Sequence, residues 1–294
     1  MSIDIRPKAL KFLSHKNFSS MLSQTSQREL YKFNLRRFDL SKIEPSKLLE
    51  NINSFGFKQQ ILQAYNSNEV ILISLTQNLS KEDFVIFMKC LFGRLRTEKA
   101  KVVYDFYDEP VILSPSINPE IYKQIQPHTD FISRFTSFRG SNPIDNPSCK
   151  VSCLFFKEIP LTGGILQIHK TAQCLEFIKQ NFPESFKHLF DADAMSVSSG
   201  SKFPILYLDG FGQITLQLQK TGRAKQEAQP AFNFLIDSSN NPAHCILIKP
   251  RKGDCIIFKG GVIHQRSQLP EPCRREVWST FHHNLPDGFN WSLL

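Results

Sequence analysis

The sequence predicts a mainly β fold with flanking helices, in the form of a sandwich or barrel. Two observations predict it. The 26 phenylalanines of this 294-residue chain are spread along its length and do not recur at a helical spacing, which suits packed sheets. From Val102 onward, short β-prone stretches alternate with Pro, Gly, Asn and Asp: 149–156, 165–169, 205–208, 214–218 and 245–248.

Helices frame this region. Residues 1–65 read as a mostly helical, polar N-terminal extension packed on the core, with candidate helices at 27–37 and 45–55. VILISL, at 70–75, is an apolar run of strand length. Ser80, followed by Glu82 and Asp83, is a natural N-cap for a helix through Phe92, whose apolar face is Phe84, Phe87, Met88 and Leu91. Residues 171–189 fit a helix inserted between strands, with Leu175, Phe177, Ile178 and Phe182 as its apolar positions. No internal repeat and no Pro, Gly or Ser-rich linker divides the chain, so a single domain over 1–294 is expected.

Composition excludes several classes. The chain is 41% hydrophobic and 21% charged, with no run long enough to cross a bilayer. Its first ten residues lack the apolar segment of a secretory signal. Seven cysteines, an odd number without a C-x-x-C pair, fit a reducing cytoplasmic location and argue against a zinc knuckle. The net charge of +9 is scattered in short clusters (Arg36-Arg37, Lys249 to Lys252, Arg274-Arg275) that no aromatic residues interleave. That pattern reads as a solvated basic surface, and nucleic acid is not the expected partner.

The chemistry is carried by His128-Thr129-Asp130 and, far along the chain, His264 in GDCIIFKGGVIHQR. In an extended segment residues i and i+2 project to one side, so His128 and Asp130 can take adjacent corners of a metal's octahedron. His264 can supply the third ligand from another strand, after the turn Lys252-Gly253-Asp254, a strand at 255–258, and a Gly260-Gly261 pair that lets the backbone swing. Two imidazoles and one carboxylate on one face leave three positions open, the arrangement by which non-haem iron(II) oxygenases take up cosubstrate and dioxygen. H-x-D with a distant histidine is by itself weak, because structural histidines produce it too.

A second feature strengthens it. Arg275 lies eleven residues after His264, at the start of an expected strand (RREVW). A 2-oxo acid chelated to iron and bearing a second carboxylate needs a cation at its far end, and guanidinium grips carboxylate bidentately. The turn-rich loop SQLPEP, at 267–272, allows the strands of His264 and Arg275 to pair as neighbours. Phe131 to Arg139 (FISRFTSFR) is a candidate substrate wall, with Phe131 and Arg134 its leading residues, although core phenylalanines and solvated arginines explain the same pattern. Of His282-His283, adjacent on a strand, at most one can face inward; His15, His169, His188 and His244 read as ordinary surface or core residues.

The motifs PHTD (127–130), IPLTGG (159–164), GDCIIF through His264, and RREVW (274–278) stand in the order of the taurine dioxygenase and clavaminate-synthase-like family of iron(II)/2-oxoglutarate oxygenases, which the chain resembles over about residues 68–282. VILISLTQNLSKEDFVIFMKCLFGRL, at 70–95, resembles that family's strand and helix. The resemblance implies a double-stranded β-helix (jelly-roll) core, with iron on His128, Asp130 and His264 and the distal carboxylate of 2-oxoglutarate on Arg275. It implies dioxygen as oxidant and hydroxylation of a C–H bond in a small molecule, such as an amino acid or related metabolite. Asp130 argues against halogenation, because related halogenases carry a small residue there. Two positions depart from the pattern. Leu166 stands where many relatives have a threonine that helps hold 2-oxoglutarate, and Ser279 stands where taurine dioxygenase has its sulfonate-binding arginine. The alternatives are a phytanoyl-CoA hydroxylase-like oxygenase, which the TGG motif disfavours, and an inactive β-helix that binds an anionic partner.

Overall fold

A computed structural model describes residues 36–52, 55–68, 70–93, 111–114, 122–130, 150–198, 200, 202–208, 212–218, 222–282 and 285–294. Its strands are β1 (Arg36–Asp39), β2 (Val70–Ser74), β3 (Val111–Leu113), β4 (Ile125–His128), β5 (Val151–Glu158), β6 (Leu166–His169), β7 (Met195–Ser196), β8 (Lys202–Phe203), β9 (Leu206–Leu208), β10 (Ile214–Leu216), β11 (Arg223–Ala224), β12 (Cys245–Ile248), β13 (Asp254–Lys259), β14 (His264–Arg266) and β15 (Glu276–His282). The helices are α1 (Pro45–Ile52), α2 (Phe55–Ser67), α3 (Lys81–Phe92), α4 (Thr171–Asn181), α5 (Pro183–Lys187) and α6 (Gln229–Asn240).

Two sheets make the core. The larger has the order β1-β2-β13-β5-β15-β3, antiparallel throughout except for the parallel β1–β2 pair. The smaller is antiparallel, in the order β12-β6-β14-β4. Together they form a jelly roll.

Strand alternation explains what each face of the larger sheet carries. One face buries Cys153, Phe155, Cys255, Ile257 and Trp278 in a cluster with Phe84, Phe87, Met88 and Leu91 of α3. Phe84 stacks on Phe155 with ring centroids 5.1 Å apart. Ser80 caps α3 as its sequence predicts, accepting from the Asp83 N–H at 3.0 Å. The intervening residues Ser152, Leu154, Ile256, Phe258 and Ser279 project to the opposite face, toward the smaller sheet, as the registers Phe258↔Ser152 and Ser279↔Leu154 require. The outer face of the smaller sheet is covered by α6, whose Ser239 carbonyl accepts from the side-chain amides of Gln167 and Gln265.

Several expectations change. Of the helix expected at 27–37, residues 27–35 lie outside the described residues, and Arg36 and Arg37 begin β1. The helix expected over 171–189 breaks into α4, α5 and a 3-10 turn at His188–Phe190, because Pro183 lacks the N–H that would continue α4. Helix α6 is an element the sequence reading passed over. The strands of His264 and Arg275 do not pair: β14 belongs to the smaller sheet and β15 to the larger, so the loop between them crosses from one sheet to the other.

Candidate metal centre

His128 ends β4 and His264 opens β14, and the two stand directly opposite each other in the antiparallel register of the smaller sheet. Non-adjacent segments are thereby brought together, with the imidazole centroids 4.4 Å apart. Asp130, two residues after His128, turns its carboxylate between the sheets: Oδ1 lies 3.6 Å from His264 Nε2, and Oδ2 accepts from Ser152 Oγ at 2.5 Å. One donor atom from each of His128, Asp130 and His264 lies within 4.8 Å of the other two. Phe258 on β13 backs the His264 ring at 4.7 Å, closing one side with carbon.

The hydrogen bonds select the ring nitrogens. Nδ1 of His128 sits 2.7 Å from the Gln126 carbonyl, and Nδ1 of His264 sits 3.2 Å from the Val262 carbonyl. A carbonyl only accepts, so each Nδ1 carries the proton and each Nε2 keeps its lone pair for a metal. The electrostatics set the two rings apart. Burial, reinforced by His264, pushes the His128 pKa down to about 4, so the ring is neutral at physiological pH. Burial works against the Asp130 carboxylate, yet His264, His128 and the Ser152 hydroxyl outweigh it and hold the pKa at about 2. For His264 burial is outweighed by the Asp130 charge and hydrogen bond, which raise its pKa. That shift favours the proton on His264 Nε2, beside Asp130, and a bound cation would take the place of that proton; two imidazole nitrogens and one carboxylate oxygen are then a donor set that fits a divalent first-row metal with open positions.

Gly261, near His264, has a different reason from the one its sequence suggests. A Cβ on Gly261 would lie 2.6 Å from the Leu216 backbone nitrogen and 2.7 Å from Thr215 Oγ1, so glycine there permits close passage of another strand. The glycines of IPLTGG act similarly. Gly163 and Gly164 take positive φ values of 66° and 63°, and a Cβ on Gly163 would meet the Gln268 carbonyl at 2.7 Å. Lys249 Nζ donates to the carbonyls of Pro160 and Gly163, pinning this turn beneath the 267–275 loop.

That loop delivers Arg275. The residue is buried, 7% exposed, and among the described residues its guanidinium makes no hydrogen bond or ion pair. Burial and then the charge of Arg266 push its pKa down to about 10, with Cys273 opposing. A guanidinium in that state is primed for an anion. Arg266 follows His264 by two residues on β14 and donates to the carbonyls of Ser267 and Lys123 at 2.8 and 2.9 Å. Leu166 stands opposite Arg266, buried, with no hydroxyl to offer.

The remaining predicted residues separate cleanly. Phe131, Arg134 and Arg139 lie outside the described residues. His282 is fully buried toward α3, with Nδ1 3.2 Å from the Gly93 carbonyl. His169 and His244 are core residues joined through Ser238, and His188 pairs with Asp191 at 2.8 Å. The sequence reading missed Ser152 as the support of Asp130, and no local signal marks it.

No protein-family model matches the chain, and no curated protein matches it. Solved structures do match. The non-heme iron oxygenase OrfP in complex with Fe and alpha-ketoglutaric acid aligns at 9% identity and a TM-score of 0.55, over 84% of this chain and 94% of that one. OrfP with Fe alone aligns at 10% identity and a TM-score of 0.54, over 84% and 93%. Its complex with Fe, succinate and (3S)-hydroxy-L-Arg aligns at 11% identity and a TM-score of 0.56, over 84% and 94%. The likeness is one of fold: the chain has the jelly roll of a non-haem iron oxygenase, with His128, Asp130 and His264 gathered between its sheets.

Proposed function

We propose that this chain is a single-domain iron(II)- and 2-oxoglutarate-dependent dioxygenase of the taurine dioxygenase and clavaminate-synthase-like kind, hydroxylating a C–H bond of a small molecule such as an amino acid. The observation that carries the reading is the meeting of His128, Asp130 and His264, with an unpartnered, buried Arg275 on the loop that leaves β14. Free, mostly buried cysteines support a cytoplasmic location.

In this reading the metal is held through Nε2 of both histidines and a carboxylate oxygen of Asp130. The bound iron supplies activation of dioxygen, coupled to oxidative decarboxylation of the 2-oxo acid. The chain's own residues do the rest. Ser152 fixes one oxygen of Asp130 so that the other faces the metal. The Gln126 and Val262 carbonyls hold both imidazoles in the ligating tautomer. Arg275 takes the distal carboxylate of 2-oxoglutarate and so sets which end of the cosubstrate reaches the metal. Phe258 and the apolar face of β6 exclude water. OrfP, which shares the fold, has been solved with Fe and hydroxylated arginines, and this supports an amino-acid substrate.

The test is anaerobic reconstitution with iron(II), followed by 2-oxoglutarate, reading the weak visible charge-transfer band of the chelate. His128→Ala should abolish the band. Arg275→Ala should weaken 2-oxoglutarate binding at least ~10-fold, the scale of a lost charge-assisted pair, while iron(II) affinity stays as in the wild type. Equal loss of both affinities would remove Arg275 from this role.

A further inference from the structure

Gln217 is 3% exposed, and among the described residues neither its side-chain nitrogen nor its oxygen has a hydrogen-bond partner. A primary amide carries two donors and an acceptor, and proteins rarely bury one unsatisfied without a use for it. Its position suggests the use. The Gln217 N–H donates to the Ile205 carbonyl at 2.8 Å, so the pairing of β10 with β9 continues through this residue. The next residue, Leu218, is tied to Thr129 twice: its N–H donates to Thr129 Oγ1 at 3.0 Å, and its carbonyl accepts from the Thr129 N–H at 3.1 Å. Thr129 lies between His128 and Asp130.

Side chains alternate along extended backbone, so Leu218 takes the side of Thr129 and Gln217 the side of His128 and Asp130. Thr215, two residues earlier on the same side as Gln217, packs on Gly261 in the turn that leads to His264. By this alternation Gln217 lies on the side of its segment that His128 and Asp130 take on theirs.

We infer that Gln217 is a substrate-positioning residue whose amide oxygen accepts from the ammonium, and whose amide nitrogen donates to the carboxylate, of a free α-amino acid bound beside the metal. The inference rests on the oxygenase reading and names its substrate class. Both halves of the amide are open, so the ligand must present a donor and an acceptor on neighbouring groups. A simple amine would leave the Gln217 nitrogen unsatisfied, and a simple carboxylate would leave its oxygen unsatisfied. A neutral amide also receives a zwitterion without burying net charge.

The experiment uses the full chain loaded with manganese(II) and 2-oxoglutarate, titrated calorimetrically with each of the twenty free L-amino acids. The des-amino acid and the amine matching each binder follow. At least one amino acid should bind, and its two truncated counterparts should bind at least ~10-fold more weakly. Gln217→Leu should lose at least ~10-fold in amino-acid affinity and keep the affinities for manganese(II) and 2-oxoglutarate. Without ligand its urea midpoint should equal or exceed that of the wild type, because leucine removes an unsatisfied amide. A wild type that binds no amino acid, an unchanged affinity in Gln217→Leu, or a ligand-free variant less stable than the wild type would each overturn the inference. Failure of the wild type to bind 2-oxoglutarate would instead overturn the oxygenase reading beneath it.

Discussion

Ser152→Ala tests how the metal site is held together. Ser152 is fully buried on β5 of the larger sheet, and its hydroxyl donates to Oδ2 of Asp130, which follows β4 of the smaller sheet. It thus fixes across the gap the carboxylate whose other oxygen faces His264 at 3.6 Å. The substitution removes one hydrogen bond to a charged acceptor, worth about 1.5–3 kcal/mol. That corresponds to metal affinity lower by roughly 10- to 100-fold, the range found for groups that orient ligands from behind. The loss comes from orientation, not from protonation. Ser152 contributes least of the influences that keep Asp130 ionised, and both histidines remain. The assay is anaerobic iron(II) titration against a competing chelator, with Ser152→Thr as the control that keeps a hydroxyl. A Ser152→Ala variant that folds normally and binds iron(II) within about twofold of wild type would refute this account of how Asp130 is oriented.

Three further perturbations follow from the same geometry. Gly261→Ala drives a methyl into the Leu216 backbone nitrogen 2.6 Å away. It should cost about 1–3 kcal/mol in urea unfolding and weaken iron(II) binding by displacing His264; a neutral result in both would contradict the close approach. Gly163→Ala combines a φ of +66° with a 2.7 Å contact to the Gln268 carbonyl. A cost of about 1–2 kcal/mol is expected, and, on the proposed role of Arg275, 2-oxoglutarate affinity should fall more than iron(II) affinity, because the disturbed loop leads to Arg275 and not to the ligands. His169 bonds Ser238 Oγ at 2.9 Å in the core, and burial first, then His244 and Lys170, push its pKa down to about 3. An unfolded histidine titrates near 6.5, so as pH falls below that value the unfolded chain takes up a proton that the native chain refuses. Stability should therefore drop between about pH 6.5 and 3, by on the order of 4 kcal/mol over the whole window, and urea midpoints at pH 7 and about 4.5 would show it. If His169→Gln keeps the full acid dependence, the effect belongs to another group.

How much of this was legible in the sequence depends on the range over which each feature is decided. Ser80 caps α3 through an atom three residues away, and His128 and Asp130 share a side because extended chain repeats every two residues, so both could be read locally. Arg275 was expected on a strand paired with that of His264, and that pairing does not form. A loop rich in turn formers reads as a hairpin, and nothing local tells whether the returning strand pairs with its predecessor or crosses to the facing sheet, as β15 does. The beginning of α6 was marked by Pro230 ahead of Ala231, Phe232 and Leu235, a start signal that the search for strands passed over.

Gly261 illustrates a subtler limit. Its type was visible in the sequence, while its reason, a strand 45 positions earlier passing within contact, was not. Ser152 and Gln217 lie at the far end of this scale. Neither belongs to a motif, and each acquires meaning only from what the fold sets beside it, an aspartate in one case and an absence of partners in the other. Ligand identity is thus written in residue types and spacing, whereas the groups that orient ligand and substrate are chosen by pairing between sheets. For the same reason, Gln217 tests the arrangement around the site more severely than the triad does. Loss of a histidine would abolish metal binding at any His-Asp-His site, whereas a substrate-affinity defect in Gln217→Leu with metal and cosubstrate binding intact requires this particular arrangement of strands.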